Sequence, residues 1–320
     1  MTADEGANTA RPVALFVLGG ARSGTSALAR VLSLCGGGLP PALVGDMPDN
    51  PRGHWEPREA NLINERIFRS HGTSGFDPTP RLQEPGAFDV GEKAAWVAQI
   101  RQFFATLPNA PFVVIKDPRI SFLTELWFEA ARQSGFDVAT VISLRHPSEV
   151  IASIAAQSSV SSELSSALWL KVNLVAEAAT RGVPRVVVEY ANLVEDWRRE
   201  MKRVSVALGL NLDSRDETAI EEFLTPNLHR QREAEVVDLF GQNWISTVYD
   251  LLGTAARDQP LDEATFDEIF AAYRVAERDF RAVFEGYQNV QKVNRFFRPG
   301  VMKAIYEVRA RSSRRKDTWA

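Results

Sequence analysis

Val13-Ala-Leu-Phe-Val-Leu-Gly-Gly-Ala-Arg-Ser-Gly-Thr-Ser-Ala-Leu-Ala-Arg-Val-Leu32 passes from an apolar run through a small-residue turn into a helical pattern. Val13 to Leu18 reads as a buried strand, Gly19 to Gly24 as a tight turn, and Thr25 onward as a helix. Backbone N–H groups of such a turn and of the helix start converge on an anion. Gly20, Ala21, Arg22, Ser23, Gly24, Thr25 and Ser26 are therefore the expected phosphate cradle. The stretch nearly fits G-x-x-x-x-G-K-[ST], except that Thr25 stands where the lysine belongs. The cation is instead Arg22, inside the turn. A charge at the apex reaches a different atom of the anion from one at the helix start, and this points away from ATP. The plainer reading is a turn that only caps a helix.

Working outward, β-branched-rich runs predict further strands at Pro111–Lys116, Val138–Leu144 and Arg185–Tyr190. Such runs mark strands covered on both faces. Helical patterns follow at Thr25–Leu34, Ser121–Gln133, Pro147–Ala156 and Val194–Leu208. The alternation predicts an α/β fold of three layers, a central parallel sheet flanked by helices, with its site at the carboxyl ends of the strands. After about Leu210 the pattern turns helical, with a long amphipathic segment at Asp262–Glu285. Residues 36–109 form a long insertion with helices near Glu59–Ser70 and Glu92–Leu107, expected to carry a binding surface. The Ser-rich patch Gln157–Ser166 reads as a mobile loop or lid. The expected division is a disordered N-terminus over 1–12, a main domain over 13–290 and a basic helix or tail over 291–320.

Composition fits a cytoplasmic enzyme: 320 residues, 37 Lys and Arg against 41 Asp and Glu, and a single cysteine, Cys35. One cysteine excludes an intrachain disulfide, and four scattered histidines offer no zinc-ligand spacing, so no metal is expected. No apolar run reaches the roughly 18 residues of a membrane span, and Met1–Arg11 has no signal-peptide pattern. From Gln291 to Ala320 there are nine Lys or Arg and two acidic residues, interleaved with Phe296, Phe297, Ile305 and Tyr306. This is either a solvated basic helix or a peripheral contact with the inner face of an anionic membrane. Nucleic acid is not among the expected partners.

Ile142-Ser-Leu-Arg-His-Pro-Ser-Glu-Val-Ile-Ala-Ser153 places Arg145 at a strand end and Ser153 about two turns into the next helix. An arginine fork with a hydroxyl grips a phosphate monoester. A first loop with a basic residue before Ser-Gly-Thr, joined to a later Arg-x-Pro…Ser block, resembles the sulfotransferases that use 3′-phosphoadenylyl sulfate. Phe112-Val-Val-Ile-Lys-Asp-Pro-Arg-Ile120 is similar to the Lys-Asp-Pro-Arg block of their bacterial and carbohydrate members. Asn50-Pro-Arg-Gly-His-Trp-Glu56 is similar to their Gly-(aromatic)-Trp-Glu segment, and Val187–Leu193 to their Tyr-Glu-Asp-Leu strand end without its acidic pair.

The resemblance implies a sulfuryl donor held at both ends, its 5′-phosphosulfate by the first loop and its 3′-phosphate by Arg145 and Ser153. It implies a carbohydrate or glycolipid acceptor. Arg22 stands where family members often carry lysine and would stabilise the leaving oxygen. The Lys-Thr-His block of aryl sulfotransferases is absent, so the base expected from the carbohydrate members is Glu56, with His54 behind it; Glu56 would need a raised pKa, helped by Trp55 excluding water. Lys116 would face the sulfuryl group or the acceptor, and Arg119 would hold an anionic acceptor or merely pair with Asp117. Tyr190 would meet the adenine or sit in the core, and His229 and Arg230 would fold over the 3′-phosphate or lie in a solvated loop. Rival readings are a Walker-type kinase, which lacks its loop lysine here, and a catalytically silent nucleotide-binding scaffold.

Overall fold

The computed structural model describes residues 11–47, 50–158, 160–213, 216–224, 238, 241–294 and 307–308. His229 and Arg230 lie outside the described residues, as do residues 1–10 and most of the basic C-terminal segment.

Four parallel strands, β1 (Val13–Leu18), β4 (Phe112–Lys116), β5 (Asp137–Leu144) and β6 (Arg185–Glu189), form one sheet in the order β4-β1-β5-β6. Leu15 faces Val114 on one side and Ala139 on the other, so β1 is central. The sheet is covered on both faces because its strands are near-continuous apolar runs, buried along almost their whole length. Leu15 and Val17 pack with Leu28, Val31 and Leu32 of α1 (Thr25–Leu34) and Val204 of α8 (Trp197–Leu208). Phe16 points the other way, its ring 6.4 Å from Trp127 and 5.1 Å from Phe128 on α4 (Thr124–Gln133). This is the three-layer arrangement read from the sequence.

The insertion holds a two-residue ribbon, β2 (Leu43–Val44) with β3 (Glu56–Pro57), followed by α2 (Arg58–Ser70) and α3 (Val90–Phe104). Helices α5 (Pro147–Ser158), α6 (Ser162–Thr180), α7 (Tyr190–Glu195), α9 (Glu217–Phe223), α10 (Trp244–Ala255) and α11 (Glu263–Asn294) complete the order. The chain divides into the units Met1–Ile269 and Phe270–Ala320. The boundary expected at residue 290 falls inside α11. Among the described residues no helix is long and apolar enough to cross a membrane.

Three local expectations change. The helix predicted from Ser121 starts at Thr124, because Asp117 caps a 3-10 turn over Pro118–Phe122 by accepting from Arg119 N. The helix predicted from Val194 is two helices, restarted where Asp196, with φ −150°, accepts from Arg199 N. The patch Gln157–Ser166 is largely helical rather than a loop: α5 ends in it, and Ser161 caps α6 by accepting from Leu164 N. Ser165 and Ser166 there are fully buried.

Candidate functional site

Each parallel strand ends at one edge of the sheet, where the loops that follow converge. Gly19 to Gly24 follow β1, Asp117 to Arg119 follow β4, Arg145 follows β5 and Tyr190 follows β6. All four contribute to the wall of a cleft of about 850 Å³. The first loop needs glycine at two positions. Gly19 has φ +129°, and a Cβ there would come within 2.7 Å of the Ser143 carbonyl. Gly24 has φ +91°, and a Cβ would lie 2.3 Å from the Tyr190 ring. Gly24 is the N-cap of α1 and supplies no side-chain cap. The first N–H groups of α1 therefore have the positive end of the helix to offer an anion.

Of the expected cradle, Gly20, Ala21, Arg22, Gly24, Thr25 and Ser26 line the cleft. Ser23 does not. It is buried, and its hydroxyl donates to Gly20 O at 2.8 Å, so it braces the turn from behind. Ser143 adds a second brace by donating to Ser23 O at 2.8 Å. The packing leaves Arg22 at φ 69°, a left-handed conformation that a non-glycine residue adopts only when its surroundings hold it there.

The two blocks expected to grip anions are joined. Arg22 Nε donates to Ser153 Oγ at 2.9 Å, and Arg145 Nη1 donates to Arg22 O at 3.1 Å. Arg145 Nε is held by Glu149 one turn along α5, at 2.8 Å, and its guanidinium lies 4.8 Å over the Tyr190 ring. Burial pushes the Tyr190 phenol up, partly offset by Arg145, Arg52 and Arg22, so three guanidinium groups act on one side chain. Tyr190 is thus both a core residue and part of the cleft wall.

A charged network lies beside this cradle. Lys116, buried at the end of β4, donates to Glu56 Oε1 at 2.5 Å, to Ser26 Oγ at 3.1 Å and to His54 O at 3.1 Å. Arg119 reaches Asp117 at 2.9 Å, Glu65 at 2.9 Å and Glu56 at 3.4 Å. Asp117, fully buried, also accepts from Asn64 at 2.9 Å, and Asn64 accepts from Trp127 Nε1 at 2.8 Å. Arg119 therefore makes the pair with Asp117 and braces the α2 side of the cleft as well.

The expected raised pKa of Glu56 is corrected. Burial pushes this carboxyl up, but the Lys116 ammonium, with Arg119 and Asn61, outweighs burial and holds it below the usual range. The Trp55 ring packs under the Arg30 guanidinium at 4.5 Å and against Phe223. His54 lines the cleft, and its carbonyl takes the Lys116 and Ser26 bonds.

Several wall residues had no sequence signal. Phe76 sits in the insertion with no periodicity around it, and Leu168, Trp169 and Val172 lie on a helix read as a loop at its start. Arg52 and Asn50 stood inside a quoted motif without a role; both line the cleft. Among the described residues no cluster of three or more His, Cys, Asp or Glu could hold a metal ion.

Solved structures to which the chain is similar include the following three. One is the sulfotransferase domain of the olefin synthase of Synechococcus PCC 7002, at 19% identity over 82% of this chain and 96% of that one, with TM-score 0.40. Another is the sulfotransferase domain from the curacin biosynthetic pathway, at 14% identity over 79% and 100%, with TM-score 0.43. The third is sulfotransferase STF1 from Mycobacterium tuberculosis H37Rv, at 15% identity over 75% and 77%, with TM-score 0.40. No family model and no curated protein matches the chain.

Proposed function

We propose that the cleft moves a sulfuryl group from 3′-phosphoadenylyl sulfate to an acceptor hydroxyl, carried by a carbohydrate or a glycolipid. The observation behind this reading is the link from Arg22 to Ser153 and Arg145, which makes one basic surface out of two anion grips. A nucleotide with anionic groups at both ends of its ribose matches such a surface better than one whose charge lies in a single chain. At about 850 Å³ the cleft is near the upper end of the roughly 300–1,000 Å³ of single-ligand pockets, which suits donor and acceptor together.

The bound donor supplies an activated sulfuryl group, whose transfer resembles phosphoryl transfer through a loose, in-line transition state. The α1 N-terminus with Thr25 and Ser26 holds the 5′ end. Arg145 and Ser153 hold the 3′ end. Arg22 keeps its charge at every working pH and stands ready for the leaving oxygen. Lys116 bridges Ser26 and Glu56 and so ties the cradle to the acceptor side. Glu56 takes the acceptor proton, with His54 as the second candidate. A loose transition state asks little of the nucleophile, so an ionised, weakly basic carboxylate is sufficient.

Calorimetry with adenosine 3′,5′-bisphosphate and adenosine 5′-monophosphate tests the two-ended grip. The bisphosphate should bind about 100-fold more tightly, the worth of one or two charge-assisted hydrogen bonds. Equal affinities, or tighter binding of ATP with magnesium, would remove the reading. We also propose that the basic segment Gln291–Ala320 makes peripheral contact with an anionic membrane. Equal pelleting of full-length and Gln291-truncated chains with phosphatidylserine vesicles would dismiss that contact.

A further inference from the structure

Lys171 is a buried lysine that the proposed reaction does not use. A buried ammonium is stable only when partners replace its water. Here the Nζ donates to Asp77 O at 2.7 Å and sits 4.2 Å over the Phe122 ring. Asp77 is the knot of a short turn in the insertion. Its carboxylate accepts from Thr73 Oγ1 at 2.8 Å and from Thr79 N at 2.8 Å, and pairs with Arg81 at 2.8 Å. The turn carries Ser74, Gly75 and Phe76 into the cleft wall, and Phe76 remains 54% exposed.

The next residue on α6 faces the donor side. Val172 lines the cleft, and a Cβ added to Gly20 would come within 3.1 Å of its Cγ1. Consecutive residues of one buried helix thus contact the phosphate loop and the Asp77 turn. The same cleft is lined by the apolar side chains Val150, Ile154, Leu168 and Trp169 of α5 and α6, and by Phe122, whose ring lies under Lys171.

We propose that Lys171 is a positioning residue for the acceptor, clasping the Thr73–Thr79 turn so that Phe76 completes an apolar wall that takes a hydroxyl borne next to a hydrocarbon flank. This rests on the reading of the cleft as a sulfuryl-transfer site and narrows the acceptor to an amphiphile, a glycolipid rather than a bare sugar.

The test uses the full chain as wild type, Lys171→Met, Lys171→Arg and Phe76→Ala, with octyl β-glucoside and methyl β-glucoside as acceptor probes. Binding is followed by tryptophan fluorescence, since Trp169 lines the cleft. Wild type should bind the octyl probe and not the methyl one. Lys171→Met should speed amide exchange across residues 73–79 about 10-fold, the effect of losing one charge-assisted hydrogen bond. It should weaken the octyl probe by a similar factor and leave adenosine 3′,5′-bisphosphate affinity as in wild type. Lys171→Arg should restore both properties. Phe76→Ala, a half-exposed site that leaves the core intact, should weaken the octyl probe without changing exchange. Unchanged exchange in Lys171→Met overturns the clasp, and raised exchange with unchanged probe affinity overturns its role in binding. Equal binding of the two glucosides overturns the amphiphile. Failure of wild type to bind the bisphosphate sinks the sulfuryl-transfer reading alone, because the exchange and glucoside results do not depend on it.

Discussion

Arg22 combines a left-handed backbone at φ 69° with a hydrogen bond from its Nε to Ser153, and the two observations explain each other. Backbone strain of this kind survives only where the surroundings over-determine the conformation. Ser23 and Ser143 do so from behind the loop. The guanidinium is thereby aimed before any ligand arrives, and preorganised charge is where transition-state stabilisation comes from. Arg22→Ala should cut turnover by about 100-fold or more while changing donor affinity far less. Steady-state rates beside bisphosphate calorimetry measure both, and equal losses would count against the role. Gly24→Ala tests the same loop through its backbone. The left-handed conformation costs an L-residue about 1–2 kcal/mol, and the Tyr190 ring must also move out of the way. A lower denaturant midpoint together with weaker bisphosphate binding is expected. Gly286→Ala is the contrast: it lies in α11 with nothing near its absent Cβ, and should stabilise by about 0.5–1 kcal/mol.

Between β3, β4 and α2, the ions Glu56, Lys116, Asp117 and Arg119 form a connected set that sets the pH response of this part of the fold. Glu56 is held below the ordinary carboxylate range, so its contribution to stability is present above about 4.3 and is lost as the pH falls through the lower, folded value. Asp117 has the opposite sign. Burial pushes it up past the pull of Arg119, with the Glu56 charge adding to the rise, so its contribution fades as the pH rises. Glu56→Gln removes the first effect and, because the Glu56 charge no longer adds to the rise of Asp117, lessens the second. At neutral pH it should cost about 3 kcal/mol, because Lys116 loses its countercharge inside the protein, and the deficit should shrink as the pH is lowered toward about 2. Urea titrations of both chains across that range measure it; a deficit independent of pH would show that the pair does not titrate as described. The same variant addresses the base. If Glu56 takes the acceptor proton, Glu56→Gln should abolish turnover while leaving bisphosphate affinity as in the unsubstituted chain; retained turnover would hand the role to His54. Of the elements carrying these ions only β4 was legible, matching the expected strand to within a residue at its ends; β3 and the 3-10 turn capped by Asp117 were not expected. The charges were not legible either. Desolvation beside Trp55 and cancellation by Lys116 are both consistent with a Trp-Glu dipeptide, and only folding places β4 beside β3.

At the scale of the whole molecule, a parallel sheet with β1 inside gathers four loops at one edge, and this much followed from alternating apolar runs and turns. The half of the cleft that the proposal gives to the donor was legible for the same reason, since a loop directly after a strand has its position fixed by that strand. The half that it gives to the acceptor was not. Phe76, Leu168 and Trp169 reach the cleft through packing between the insertion and α6, a contact that leaves no periodic mark in either segment. Donor and acceptor halves should consequently respond differently to ligand. A ligand that binds only the folded chain stabilises it by about 2.7 kcal/mol at a hundredfold excess over its dissociation constant. For adenosine 3′,5′-bisphosphate that is a rise in melting temperature of about 5 °C or more, and Arg145→Ala should abolish that rise; the unliganded melting temperature should fall as well, since Arg145 also holds Glu149, the Arg22 carbonyl and the Tyr190 ring. Thermal scans of both chains with and without the bisphosphate measure this. A full ligand shift in Arg145→Ala would move the 3′ grip elsewhere, whereas loss of the shift in both Arg145→Ala and a Ser153→Ala chain would assign it to the strand end and α5 together.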